Sequence, residues 1–327
     1  MPETLLRDFE ALIARVLADT SERPLTVQAA MRYAVGGGKR YRPRLLFAVM
    51  TASASGELDA TIRDLAIRAA IAMEMAHCGS LVIDDLPCFD GALERRGKPT
   101  VWEVYGEAMG LLTGDALLIT GLETLAGYPG ERGLDALRLS HLFMRTLGME
   151  GLVGGQNLEI DPNYPEISRP DLHPPSAAVI ERYHDLKTSG FFSFAAMAGA
   201  LLARCSAEDQ RRWADIGRDI GRMAQIADDL IDVLGGAFGK TNHRDKPLGR
   251  PNWALAFGEA EAARRVAALG ERIIANGESL PGFPFGVINP LRILFSIMRE
   301  LGHPMAEAET KLGIKPATGL PPGSYEE

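Results

Sequence analysis

Residues 211–233 read RRWADIGRDIGRMAQIADDLIDV, and along them Trp213, Ile216, Ile220, Met223, Ala227 and Leu230 recur in steps of three or four. That period predicts a long α-helix with one core-facing stripe. Gln225, Asp228, Asp229 and Asp232 run beside the stripe at one-turn spacing, which predicts a single polar ridge facing inward. Within the ridge no Lys or Arg follows an acid at i+4. An ionised carboxylate in an apolar setting is costly unless something neutralises it, so the ridge calls for a cation from elsewhere.

A second acidic cluster lies about 140 residues upstream, where Asp84, Asp85 and Asp90 end another periodic run: Leu58, Ile62, Leu65, Ala69, Met73 and Ala76 between residues 57 and 86. On a continuous helix Asp84 and Asp90 would point apart. Pro87 removes a backbone donor and disfavours helix at Leu86, so the helix is expected to stop there and the chain to turn Asp90 back toward Asp84. Helical periodicity recurs elsewhere, near 4–19, 25–35, 43–54, 101–126, 131–160, 177–203, 252–276 and 289–302, and strand signals are nearly absent. The expected fold is all-α, with one domain over 1–315 and a disordered tail over 316–327. The proline-rich residues 161–175 are expected to be a non-helical surface loop.

With 46% hydrophobic, 24% charged and 7% aromatic residues, the chain has the composition of an ordinary globular protein with a sizeable core. A formal charge of -8, from 35 basic and 43 acidic residues, argues against nucleic-acid or anionic-membrane partners. Cys78, Cys88 and Cys205 form neither a CxxC pair nor an even framework, which fits a reducing compartment, the cytoplasm by default. The N-terminus lacks signal-peptide features, and the longest nearly apolar run, 190–203, is too short to cross a bilayer, so no stable membrane insertion is expected.

Two acidic clusters with oxygen donors, and no His or Cys beside them at ligand spacing, suggest Mg2+. Cys88 and His243 have no such partners and are not read as zinc ligands. Since Mg2+ keeps several waters and commonly joins protein carboxylates to substrate phosphates, the expected guest is a phosphate or diphosphate. Basic groups complete the picture: Lys39, Arg40 and Arg42 after the glycines 36–38, Arg95, Arg96 and Lys98, then Lys187-Thr188 and Lys240. No Ser-His-Asp or Cys-His arrangement suggests a protein nucleophile.

Taken together, Gly38-Lys39-Arg40-Tyr41-Arg42-Pro43, His77, Asp84-Asp85 through Asp90, Arg95-Arg96-Gly97, Gly155-Gln156, Lys187-Thr188 and Gln225 through Asp232 resemble the trans (E)-isoprenyl diphosphate synthases, or polyprenyl synthetase family, over roughly residues 30–250. The resemblance implies a helical bundle around a deep apolar cavity, usually homodimeric. Three Mg2+ ions and an allylic diphosphate would lie between the clusters, with Asp84, Asp90, Asp228 and Asp232 as metal ligands. Asp85, Asp229 and Lys187 would join those four acids in the catalytic set. Gly38, Lys39, Arg42, His77 and Arg96 would hold isopentenyl diphosphate; Arg95, Lys187, Thr188, Gln225 and Lys240 would hold the allylic diphosphate.

Small residues at Gly79 and Ser80, fifth and fourth before Asp84, together with the insertion Pro87-Cys88, resemble the bacterial type II geranylgeranyl diphosphate synthases and imply a C20 product, with Met73 and Met75 at the cavity floor. A C15 synthase, a class I terpene cyclase and a non-catalytic partner subunit are the alternatives. Four features depart from the family pattern: Glu159 where Asp is usual, Gly91 where a further acid is common, the 241–250 loop with Arg250 in place of lysine, and the C-terminal region.

Overall fold

A computed structural model describes residues 2–18, 25–234, 245, 249–280 and 283. Lys240, His243, the helix expected near 289–302 and the tail 316–327 lie outside the described residues. The chain order is α1 (Pro2–Val16), α2 (Thr26–Val35), α3 (Tyr41–Ser53), α4 (Ala60–Asp84), a short hairpin β1 (Glu94–Arg95) and β2 (Lys98–Pro99), α5 (Val101–Tyr105), α6 (Glu107–Ala126) and α7 (Gly133–Leu147). There follow α8 (Leu152–Ile160), α9 (Pro165–Ser168), α10 (Ala177–His184), a π-helical turn (Asp185–Ser189), α11 (Gly190–Leu202), α12 (Ala207–Leu234), α13 (Trp253–Phe257) and α14 (Glu259–Gly277).

The central helix is α4. Asp59 caps it, accepting from Ile62 N at 2.8 Å, and every residue from Leu65 to Ala76 except Arg68 is buried. A side chain at Gly79 would meet Gly114 O at 2.9 Å, and one at Gly114 would meet Ile83 at 2.5 Å, so α4 and α6 are in near backbone contact there. On the other side α11 packs between α3 and α12, and α12 packs on α14. One contiguous core runs from Leu5 to Phe283, with a small satellite of Leu158, Ile167 and Tyr183.

Three kinds of detail differ from the sequence expectation. The stretch 101–126 breaks at Gly106 and 252–276 breaks at Gly258, both at positive φ (87° and 86°) where a helix cannot continue, and 131–160 is two helices, α7 and α8, separated where the backbone turns extended at Gly148. Residues 161–175 include the short helix α9, since Pro165 occupies its first turn, where proline's missing N–H costs nothing. The basic run at 94–99 forms a hairpin whose turn, Arg96-Gly97, has both residues at positive φ, the geometry of a type I′ turn.

Among the described residues, two helices, α4 and α6, are long and apolar enough to cross a membrane; 78% of the relevant α4 window is buried inside the protein, against 39% for α6. The high hydropathy of α4 is therefore that of a core helix.

Candidate functional site

In each aspartate doublet one carboxylate is open and its neighbour is buried. Helix α4 ends at Asp84, the chain turns at Pro87, and Asp90 N donates to Asp84 O at 2.9 Å, which brings Asp90 back as the sequence predicted. Asp84 and Asp90 are partly exposed. Asp85 is buried and grips Arg95 through both carboxylate oxygens at 2.7–2.9 Å. On α12, Asp228 is exposed and Asp232 half-buried, whereas Asp229 is buried and accepts from Trp253 N at 2.8 Å and Gln225 Nε2 at 3.0 Å. The single inward ridge predicted for α12 is thus corrected. Adjacent helical residues point about 100° apart, so Asp229 turns into the protein while Asp228 and Asp232 stay on the open side.

The two clusters are joined by four consecutive residues. Arg250 pairs with Asp90 of the first cluster, while Asn252 Nδ2 donates to Asp229 O at 3.1 Å and Trp253 N to the Asp229 carboxylate. Arg95 feels Asp85, Asp84 and Asp228 together: burial pulls its pKa down, but these carboxylates outweigh it and leave the pKa raised. Asp245 belongs to the second cluster. Its N–H donates to Asp232 at 3.2 Å, and burial first, then the Asp229, Asp232 and Asp228 charges, push its carboxyl up to about 7, although Asn252 opposes this.

A separate group of cations lies along α3, α4 and the hairpin. Arg42 and His77 are both partly exposed yet deep in the protein, as expected for the wall of a cleft. The Arg42 guanidinium sits 4.8 Å from the Phe192 ring centre and 5.6 Å from that of Phe191, and its buried Nε has no hydrogen-bond partner. Burial lowers its pKa to about 10, still charged at neutral pH. His77 is held well below its ordinary value by burial and by Arg42, Arg96, Arg95 and Arg40, so its imidazole is neutral at pH 7. Arg40, which the sequence reading assigned no site, braces this wall: it pairs with buried Glu74 at 2.9 Å and with Glu10 of α1 at 2.8 Å. A side chain at Gly38 would meet Arg40 at 2.7 Å and Glu74 at 2.9 Å, so it would have to displace the buried Arg40–Glu74 pair. Lys39 and Arg96 are exposed.

Lys187 and Thr188 lie in the π-helical turn. Such single turns place side chains and carbonyls out of helical register and are frequent at functional sites. Two backbones clamp the turn: a side chain at Gly155 would meet Lys187 N at 2.7 Å, and one at Gly221 would meet the Ser189 Cα at 2.5 Å. Thr188 Oγ1 donates to Gln225 Oε1 at 2.8 Å, which continues through Gln225 to Asp229. His184, fully buried, places Nε2 3.4 Å from the Asp229 carboxylate. Lys187 Nζ donates to Glu159 at 2.6 Å and lies 3.8 Å from Asp84.

Geometry separates the two chain-length candidates. Ser80 is half-exposed and lies one turn before Asp84 on the same face. Gly79 is buried against Gly114, so helix packing accounts for its size, a correction to its reading as open cavity space. Met73 and Met75 are fully buried, and Met75 faces Gly121 of α6.

The sequence reading left out Asp245 and His184, named Arg40 among the basic groups without a role, and gave Glu159 and Arg250 only as departures. Asp245 has the weakest signal, an isolated acid past a polar loop. His184, three residues before Lys187, was legible only as an apolar-face histidine. The oxygen-rich site, with an acid pushed up to about 7 by burial and then by neighbouring carboxylates, suits a hard cation such as Mg2+. Among the described residues no three His, Cys, Asp or Glu side chains already form a metal cage. A metal that completes its shell with water and substrate oxygens, as Mg2+ does, fits such a site.

The profile of the family described as Polyprenyl synthetase matches residues 24–279. A geranylgeranyl diphosphate synthase of Cereibacter sphaeroides is 38% identical, covering 84% of this chain and 90% of that protein. One from Rhodobacter capsulatus is 36% identical over 85% and 91%. Among solved structures, an FPP/GFPP synthase from Zymomonas mobilis superposes with a TM-score of 0.74 at 31% identity, covering 89% of this chain and 95% of that one. A geranyltransferase from Helicobacter pylori, at 24% identity and a TM-score of 0.76 over 91% and 96%, shares the fold. With a family match across most of its length and relatives above 30% identity over almost their whole extent, the chain belongs to the polyprenyl synthetase family.

Proposed function

We propose that this protein condenses isopentenyl diphosphate head-to-tail with an allylic diphosphate (dimethylallyl, geranyl or farnesyl) and releases geranylgeranyl diphosphate as its main product. The observation that carries the reading is the pairing of two unlike sites: partly or fully exposed acids Asp84, Asp90, Asp228 and Asp232, and a deep wall of charged Arg42 and neutral His77. An enzyme that only ionised and cyclised one allylic diphosphate would need the first site and not the second. The curated relatives named as geranylgeranyl diphosphate synthases support the same conclusion.

In this reading Asp84, Asp90, Asp228 and Asp232 hold Mg2+, three ions with substrate bound, and Lys39, Arg42, Arg96 and neutral His77 hold the isopentenyl diphosphate. Bound Mg2+ supplies the positive charge that stabilises departing diphosphate. Arg95 is presented to the same diphosphate by Asp85, while Lys187 and Lys240 add charge. Thr188 and Gln225, linked to each other and to Asp229, complete the contacts to the allylic diphosphate. Phe191 and Phe192 keep water from the allylic cation, which the isopentenyl double bond attacks; proton loss to diphosphate then restores an alkene. The hydrocarbon extends along α4 past Ser80.

Incubation with Mg2+, isopentenyl diphosphate and each allylic primer, followed by mass spectrometry, tests the proposal. A C20 diphosphate is expected. A C15 end product would remove the chain-length argument, and cyclic hydrocarbons formed without isopentenyl diphosphate would replace condensation by cyclisation.

A further inference from the structure

Glu159 on α8 is the hub of an ion network. Its side chain is only 4% exposed. One oxygen accepts from Lys187 Nζ at 2.6 Å; the other accepts from Arg250 Nη1 at 3.3 Å and from the Tyr183 hydroxyl. Each cation also reaches one open acid of the first cluster: Lys187 lies 3.8 Å from Asp84, and Arg250 pairs with Asp90. Three carboxylates therefore share two cations, and the two acids proposed as metal ligands are the outer members. Burial lowers the Arg250 pKa while Asp84 opposes the shift, consistent with a guanidinium that has been drawn inward.

We propose that Glu159 is a positioning residue that tethers Lys187 and Arg250 beside Asp84 and Asp90, so that they neutralise these acids in the resting enzyme and transfer to diphosphate when metal arrives. This rests on the functional reading above. A charge removed from a carboxylate needs another partner nearby, and Glu159 keeps one bond to each cation throughout the exchange. Its carrier is rigid: α8 is locked to the π-helical turn by the close approach at Gly155, and Tyr183, in the satellite core, fixes the carboxylate. Arg250 has space to move, since a cavity of about 110 Å³, walled by Cys88, Phe89, Ile160 and Ile167, adjoins it and Glu159. Lys187 needs less movement because its bond to Glu159 is already the shorter of its two contacts.

The test is a Mg2+ titration of the full chain with fixed inorganic pyrophosphate, read as bound pyrophosphate by equilibrium dialysis. The chains compared are wild type, Glu159→Gln, Glu159→Asp, Arg250→Gln and the double variant Glu159→Gln/Arg250→Gln. Without the tether, both cations settle on Asp84 and Asp90, and Mg2+ must displace them. Glu159→Gln should raise the Mg2+ midpoint about tenfold, equivalent to roughly 1.4 kcal/mol. Glu159→Asp, which keeps the charge, should recover most of that loss. The double variant, with Asp90 cleared, should return the Mg2+ midpoint toward wild type while pyrophosphate stays weakly bound. A residue with a merely structural role would not give that recovery. An unchanged midpoint in Glu159→Gln, or a double variant weaker than either single one, overturns the tether. Wild-type pyrophosphate binding without condensation would instead overturn the proposed function, and the midpoint shift would still decide the tether.

Discussion

Asp228 and Asp229 are neighbours with opposite tasks, and substitution separates them. Asp228 is exposed on the open side of α12, so Asp228→Asn should reduce turnover by about a hundredfold or more while the melting temperature stays unchanged, as for loss of one charge-stabilising group. Asp229 is buried beneath the start of α13, and Asp229→Ala leaves Trp253 N and Gln225 Nε2 without their acceptor. That should cost about 1–3 kcal/mol of stability, read by denaturant titration, in addition to activity. His77 makes a pH prediction. Its folded pKa lies well below 6.5, so below about pH 6.5 the unfolded chain binds a proton that the folded chain does not, and stability falls as the solution becomes more acidic. Above that range the contribution is complete. His77→Gln should flatten the fall in melting temperature between pH 7 and pH 5; a difference unchanged from wild type would show that other groups set it.

At the scale of elements, Gly79 and Ser80 make a matched pair of tests on α4. Gly79→Ala pushes a methyl group into Gly114 O and Leu117, so it should cost about 1–3 kcal/mol of stability and leave product length unchanged. Ser80→Phe places a large ring one turn from Asp84 on the open face and should shift the product from C20 toward C15, read by mass spectrometry, with little loss of stability. The sequence already carried the period of α4, its end before Pro87 and the return of Asp90, because those follow from local rules. It did not carry which small residue faces solvent and which faces α6. That choice depends on the approach of a helix some thirty residues away, and a run of small residues reads alike in both cases. The same limit applies to the acids. DDxxD spacing placed the α12 carboxylates one turn apart, but only the packing of α13 onto Asp229 shows that one of them is a strut. The Glu159–Arg250 contact was out of reach for a related reason, since it joins segments 91 residues apart in the chain.

For the whole molecule, the feature left to account for is an apolar face made by α6 and α7. Leu111, Leu112 and Ile119 lie along the outer side of α6, and Leu134, Leu137 and Met144 recur in steps of three or more along α7; Ile119 is 67% and Leu134 84% exposed. Clustered exposed apolar side chains of this kind mark an interface. The inner side of α6 is already committed to α4, so the outer side is free to meet a second copy, in agreement with the homodimer expected from the family resemblance. A two-fold contact would set the same stripe against itself and bury both leucine rows at once. The exposed charges among these residues, Asp115 on α6 and Arg138 on α7, are opposite in sign, so a contact that pairs them is not opposed by the net charge of -8. Light scattering should therefore give twice the chain mass at micromolar concentration. Placing carboxylates in such a seam costs roughly 3 kcal/mol, so Ile119→Glu with Leu137→Glu should weaken association by about a hundredfold and yield a monomer. A wild-type chain that stays monomeric would assign the stripe to a different partner, whereas a dimer that survives both glutamates would place the interface on another face of the bundle.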